Sequence, residues 1–221
     1  MQNRPGTELA TLMLGWKMEP TRHRLERLAE QARALGKRYN RAIEVEIDDR
    51  ELRIEPRRWG AFWGATVHAL RNAMDHGLEP ADERVELGKP AAGRLVLRTR
   101  PEGDFILVEV EDDGRGIDWD RVRRKAEAAG MPHERREDLV AAMMSSGLST
   151  KEQVSELSGR GVGMDALKRA TESLEGTIEI ESTEGQGSVV RMRIPQDRIY
   201  ASADLRLAGT TGFELPPPSA A

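Results

Sequence analysis

The sequence predicts an α+β fold: a two-layer sandwich in which a mixed, mostly antiparallel sheet of about five strands carries helices on one face. Three observations predict it. Residues 94–100 and 104–110 are apolar-biased, β-branched runs joined across Pro101-Glu102-Gly103, which reads as one strand pair. Residues 177–181 and 188–194 read as a second pair, joined by Glu184-Gly185-Gln186-Gly187 and stopped by Pro195. Around them, apolar residues recur at spacings of three and four, the mark of helices with one buried stripe.

In chain order, residues 1–18 form an N-terminal segment, of which 1–7 are polar with a Pro-Gly pair. Residues 19–36 are patterned as a helix, with Leu25, Leu28, Ala29, Ala32 and Leu35 on one stripe and Gly36 as its stop. Ile43, Val45 and Ile47, then Leu52 and Ile54, alternate with charged residues on either side of Asp48-Asp49-Arg50, which predicts a hairpin. A long helix over 57–76 buries Phe62, Ala65, Ala69, Leu70 and Ala73, and Gly77 ends it. Residues 79–92, with Pro80 and Pro90, read as a polar connection. Helices follow over 119–129, stopped by Gly130, and over 134–144, with Leu139, Val140, Met143 and Met144 as the apolar side. Residues 145–160 are rich in Ser, Gly and Thr without periodicity and are expected to be mobile. Helix returns over 162–174 before the second strand pair. Residues 196–221 end in Pro216-Pro217-Pro218 and are expected to be a partly disordered tail.

The composition narrows the function classes. Among 221 residues, 34 Lys and Arg face 38 Asp and Glu, a net charge of -4, so no global field points to nucleic acid. With no cysteine there are no disulfides, thiolate metal sites or thiol chemistry. No apolar run is long enough to insert in a membrane, and a cytoplasmic location is the expectation.

Three constellations carry chemistry. His68, Arg71, Asn72, Asp75 and His76 share a polar helical stripe opposite the apolar one. An amide oxygen there suits Mg²⁺, and a neutral imidazole one turn earlier can take a proton. The strand 105–110 runs into Glu111-Asp112-Asp113-Gly114-Arg115-Gly116-Ile117-Asp118, a carboxylate at a strand end followed by a glycine turn. Ser158-Gly159-Arg160-Gly161-Val162-Gly163-Met164 enters a helix, where alternating glycines let backbone N–H groups face an anion. Taken singly each could be a solvated stripe, a surface turn or a linker.

Their order is more specific. A polar helix with Asn, a strand-acid-Gly-x-Gly turn, a Ser/Thr/Gly-rich segment, Gly-x-Gly-x-Gly into a helix and a Gly-x-Gly-Ser hairpin together resemble the GHKL (Bergerat) ATPases. The span 19–195 is most similar to the ATP-binding domain of chemotaxis-type, CheA-like histidine kinases. The resemblance rests on His68-Ala69-Leu70-Arg71-Asn72-Ala73-Met74-Asp75-His76-Gly77-Leu78-Glu79, Gly88-Lys89-Pro90, the 111–118 octet, Gly147-Leu148-Ser149-Thr150 and 158–165.

The resemblance implies ATP and Mg²⁺ as cofactors. Asp112 would accept from the adenine amino group, with Gly114 and Gly116 letting base and sugar approach. Asn72 would ligate Mg²⁺, and His68 would stand at the γ-phosphate as base, where gyrase-like and chaperone members typically carry a glutamate. Arg71, Asp75 and His76 would line the phosphate side. Gly159, Arg160, Gly161, Val162, Gly163 and Met164 would cradle phosphates under a mobile lid over about 145–158 that includes Ser149 and Thr150, and Ser188 would belong to the late hairpin's contact. The 143–148 segment departs from the family, which carries phenylalanines there. The implied partners are a phosphotransfer domain bearing the acceptor histidine, in cis or in trans, and a downstream response regulator. Alternatives are a non-catalytic nucleotide-binding signalling module and a stand-alone GHKL ATPase or serine kinase.

Overall fold

In a computed structural model, residues 18–145 and 163–199 are described. The elements are β1 (Glu19–Pro20), α1 (Thr21–Arg38), β2 (Ile43–Asp49), β3 (Arg53–Ile54), α2 (Gly60–Asn72), a π turn (Ala73–Gly77) and α3 (Ala81–Glu86). They continue as β4 (Gly93–Glu102), β5 (Phe105–Asp112), α4 (Trp119–Ala128), α5 (Arg136–Met143), α6 (Met164–Glu172), β6 (Thr177–Thr183), β7 (Gly187–Pro195) and a 3₁₀ turn (Gln196–Arg198).

Five strands make the main sheet in the order β2-β4-β5-β7-β6, with β2 and β4 parallel and the other three pairings antiparallel. The fold class is therefore the expected mixed, mostly antiparallel α+β sandwich. Alternation along each strand sends Leu95 and Leu97, Ile106, Val108 and Val110, and Met192 and Ile194 into one core. Leu25, Leu28 and Ala32 of α1, Phe62, Ala69 and Leu70 of α2, and Leu167 of α6 meet them there. The opposite sheet face carries Val96 and Leu107, both buried, together with a row of ion pairs. Glu109 of β5, only 2% exposed, lies between Arg98 of β4 and Arg191 of β7, at 3.1 and 2.7 Å.

Four sequence expectations are corrected. The 43–54 region is not a hairpin: β2 pairs in parallel with β4, while β3 pairs with β1. Local alternation fits a hairpin equally well, but the partner that completes β2 lies some fifty residues on (Ile43 opposite Gly93). Gly36 does not stop α1. It lies inside the helix, where a Cβ would meet the Arg41 carbonyl at 3.0 Å, and Asn40 at φ 52° makes the turn. The 57–76 helix is α only over Gly60–Asn72 and then widens into the π turn, closed by Leu78 N–H donating to the Ala73 carbonyl at 2.7 Å. The 79–92 connection contains α3, and its Glu79 and Arg84 are buried.

Beyond β7 the described chain stays attached. The Trp59 indole N–H donates to the Arg198 carbonyl at 3.1 Å, the Glu55 amide donates to the Ile199 carbonyl at 3.0 Å, and Ile199 is buried. Among the described residues no helix is long and apolar enough to cross a membrane.

Candidate functional site

The site is built where three glycine contacts bring separate elements into backbone contact. At the end of β5, the Gly114 amide donates to Asp112 Oδ1 at 3.0 Å. A Cβ on Gly114 would stand 2.2 Å from the Gly77 carbonyl oxygen, and the Arg115 amide donates to that same oxygen at 2.9 Å. The turn after Asp112 thus lies against the end of the π turn that follows Asn72. On its other side a Cβ on Gly187 would stand 1.9 Å from the Asp112 carbonyl, and one on Gly116 2.4 Å from the Thr183 carbonyl. These glycines let backbones meet, a requirement separate from any approach of a ligand.

Asp112 is the most perturbed acid here. Burial pushes its carboxyl up to about 6; the Gly114 hydrogen bond opposes this, and the neighbouring Asp113 and Glu79 charges add to it. Ser188 stands opposite Asp112 in the β5–β7 ladder. Its hydroxyl is 3.0 Å from that of Ser182, which also accepts from the Ile117 amide at 2.8 Å. Ser182 therefore ties the glycine turn to the late hairpin, a role with no sequence signal beyond its place in a strand.

On α2, Phe62, Ala65, Ala69 and Leu70 face the core, while His68 and Arg71 are partly exposed and Asn72 is exposed. Burial lowers the His68 pKa, the Arg71 charge lowers it further, and Asp165 works the other way, so the ring is held neutral near pH 7. The π turn widens the step after Asn72, so Asp75 and His76 leave the ideal α stripe that simple spacing assigns them. They stand as a pair, His76 Nε2 3.8 Å from Asp75 Oδ2.

At the start of α6 the Gly163 amide donates to Asp165 Oδ1 at 3.1 Å, and Arg169 pairs with Asp165 at 2.8 Å. Burial opposes ionisation of Asp165, but the Gly163 amide and Arg169 outweigh it and its pKa is lowered. The Gly163 donor expected to face phosphate is engaged by a carboxylate in this structure. Met164 packs into the core. Ser149, Thr150, Gly159, Arg160, Gly161 and Val162 lie outside the described residues.

An ion cluster that hydropathy hides sits beneath the glycine turn. Arg84 donates to Glu79 at 3.0 Å and to the Asp113 carboxylate at 2.7 Å, and Lys89 donates to Glu79 at 2.8 Å. Charged residues in a Pro- and Gly-containing stretch read as solvated; Glu79 and Gly88-Lys89-Pro90, which belong to the resemblance, were the available signals.

Asn72, exposed at the end of α2, carries an amide oxygen that could serve a metal. Among the described residues no three His, Cys, Asp or Glu cluster to bind an ion. Mg²⁺ commonly takes one or two protein ligands and completes its shell with water and phosphate oxygens, so an exposed amide oxygen fits it.

A family model described as histidine kinase-, DNA gyrase B-, and HSP90-like ATPase matches residues 65–198. The chain is 37% identical over 193 residues to the gliding motility regulatory protein of Myxococcus xanthus, covering 83% of this chain and 24% of that protein. It is 34% identical over 214 residues to the chemotaxis protein CheA of Borreliella burgdorferi, covering 95% of this chain and 25% of that one. It thus spans about a quarter of the length of these relatives. A mycobacterial sensor histidine kinase, MprB, shares the fold with a TM-score of 0.50 at 16% identity, covering 80% of this chain and 95% of that one.

Proposed function

The chain belongs to the histidine kinase-, DNA gyrase B-, and HSP90-like ATPase family, and from that premise we propose that it binds ATP with Mg²⁺ and transfers the γ-phosphate to a histidine. The acceptor lies on a separate phosphotransfer domain, in cis or in trans, and passes the phosphate to a response regulator in chemotaxis-like two-component signalling.

The observation that carries the reading is the junction of Gly77 with Gly114. It places the Asp112 carboxylate and the end of the Asn72 helix side by side, with Asp112 Oδ1 3.1 Å from where a Gly77 Cβ would stand. A buried carboxylate suits an exocyclic amino donor such as that of adenine. The polar stripe of α2 then faces the phosphate end of the same ligand. Asn72 would hold Mg²⁺, which when bound neutralises charge across the phosphates. His68, held neutral by burial, is in the protonation state needed to accept a proton. Catalysis on this reading consists of positioning and charge neutralisation.

The test mixes the full chain with ATP labelled in the γ-phosphate and an isolated phosphotransfer domain. Label on the domain's histidine is the expected result. Free phosphate or labelled serine would instead make the chain a stand-alone ATPase or serine kinase, and binding without transfer would make it a signalling module. A companion test replaces Asn72 with Ala, which should abolish the Mg²⁺ dependence of ATP binding; unchanged dependence would remove Asn72 as the ligand.

A further inference from the structure

We infer that Lys89, with Arg84 behind it, is a positioning residue for base recognition, acting on Asp112 through one peptide unit. The inference rests on the reading of Asp112 as the group that accepts from adenine.

The peptide unit is the one joining Asp113 to Gly114. Its N–H donates to Asp112 Oδ1 at 3.0 Å. Its carbonyl oxygen, on the opposite edge of the same plane, accepts from Lys89 Nζ at 3.0 Å and from Arg84 Nη1 at 3.4 Å. Lys89 Nζ also reaches the next carbonyl, that of Gly114, at 2.8 Å. A trans peptide is rigid and planar, so cations that fix its oxygen fix the direction of its N–H. They also polarise that N–H toward the carboxylate, since hydrogen bonds in series strengthen one another.

The cations are themselves held. Glu79, whose side chain is fully buried, accepts from Arg84 at 3.0 Å and from Lys89 at 2.8 Å. The Arg84 guanidinium is 1% exposed and also reaches the Pro90 carbonyl at 2.7 Å. Asp113 takes Arg84 on one oxygen and the Arg94 amide, at 2.8 Å, on the other, which anchors the turn to the start of β4. A turn of this size can be satisfied by water, and burying paired charges is a poor source of stability in itself. What the arrangement supplies is a fixed orientation for one N–H and, through it, for one carboxylate. Lys89 is also among the charges that hold the Asp112 carboxyl down against burial.

Lys89→Met is the informative variant, because Lys89 is 19% exposed and its removal leaves Glu79 paired with Arg84. Binding of ATP and of ITP, which lacks the exocyclic amino donor, is measured with the full chain, alongside its thermal unfolding. The wild-type chain should prefer ATP. The Lys89→Met chain should unfold near the wild-type temperature, bind ATP about tenfold more weakly and bind ITP as before, so that the preference collapses. A preserved ATP-to-ITP ratio, or an equal loss of both nucleotides with a lowered unfolding temperature, would overturn the positioning role while leaving the Asp112 reading intact. A wild-type chain that binds both nucleotides equally would overturn that reading and this inference together.

Discussion

Asp112 is where the chemistry of the site is most concentrated, because its carboxyl titrates at about 6 for reasons of burial. A folded-state pKa above the unfolded value means that the charged form is penalised above that pH, and the penalty is relieved as pH falls from about 6 toward the unfolded value. On the proposed reading of Asp112 as the adenine acceptor, ATP binding runs the other way, since the ionised carboxylate is the better acceptor. Affinity for ATP should therefore fall as pH is lowered through about 6, and Asp112→Asn should flatten that profile while weakening ATP by about 1.5–3 kcal/mol. At pH 8 the same substitution should raise the unfolding free energy of the ligand-free chain, by at most about 3 kcal/mol. Titration calorimetry across pH and chemical denaturation check the two halves; a variant that binds ATP as tightly as wild type would remove Asp112 as the base contact. At the proposed phosphate end, His68→Gln should spare ATP binding and abolish transfer. Transfer retained in a filter assay would show that another group takes the proton.

At the scale of elements, the site depends on strands and turns meeting backbone to backbone. Gly187, at φ 110°, has no room for a side chain: its Cβ would lie 1.9 Å from the Asp112 carbonyl. Gly130 also has a positive φ, 66°, but nothing lies within 4 Å of its Cβ position. Gly130→Ala should cost only the left-handed backbone term, about 1–2 kcal/mol, whereas Gly187→Ala should cost on the order of 3–5 kcal/mol because β5 and β7 must part. Equal losses in urea melts would show that the hairpin and the acidic turn are not in the contact described. The octet at 111–118 was legible because its residues are special both locally and in space. The partnership of β2 with β4 was not, since Ile43, Val45 and Ile47 carry the same alternation whichever strand they join. The widening after Asn72 was equally hidden, because a π turn uses the same residue types as the α-helix it interrupts. The pairing of Glu79 with Arg84 and Lys89 was hidden for a third reason: a charge that is buried beside its partner looks, in one dimension, like a charge in water.

At the scale of the whole molecule, the described residues form two cores of unequal size. The main one lies between the sheet and α1, α2 and α6, while Val122, Ala126, Leu139 and Ala142 form a small separate core under α4 and α5. The two communicate through Ile117 and Trp119, whose indole N–H donates to the Ser182 carbonyl at 3.3 Å beneath the Arg136 guanidinium, 3.8 Å from the ring centre. So few buried contacts predict that α4 and α5 open before the sheet does. Native-state hydrogen exchange should show their amides exchanging through a lower-energy opening than those of β4 and β5; a single common opening energy would show that the small core is fused to the large one.

The proposed function requires that the acidic turn and the polar helix address two ends of a single nucleotide. A crystal structure of the full chain with Mg²⁺ and a non-hydrolysable ATP analogue tests it directly. The adenine amino group is predicted within hydrogen-bonding distance of Asp112, with the metal on the Asn72 amide oxygen and the γ-phosphate facing His68. A nucleotide found elsewhere, or one whose base and phosphates do not bridge Asp112 and Asn72, would contradict it.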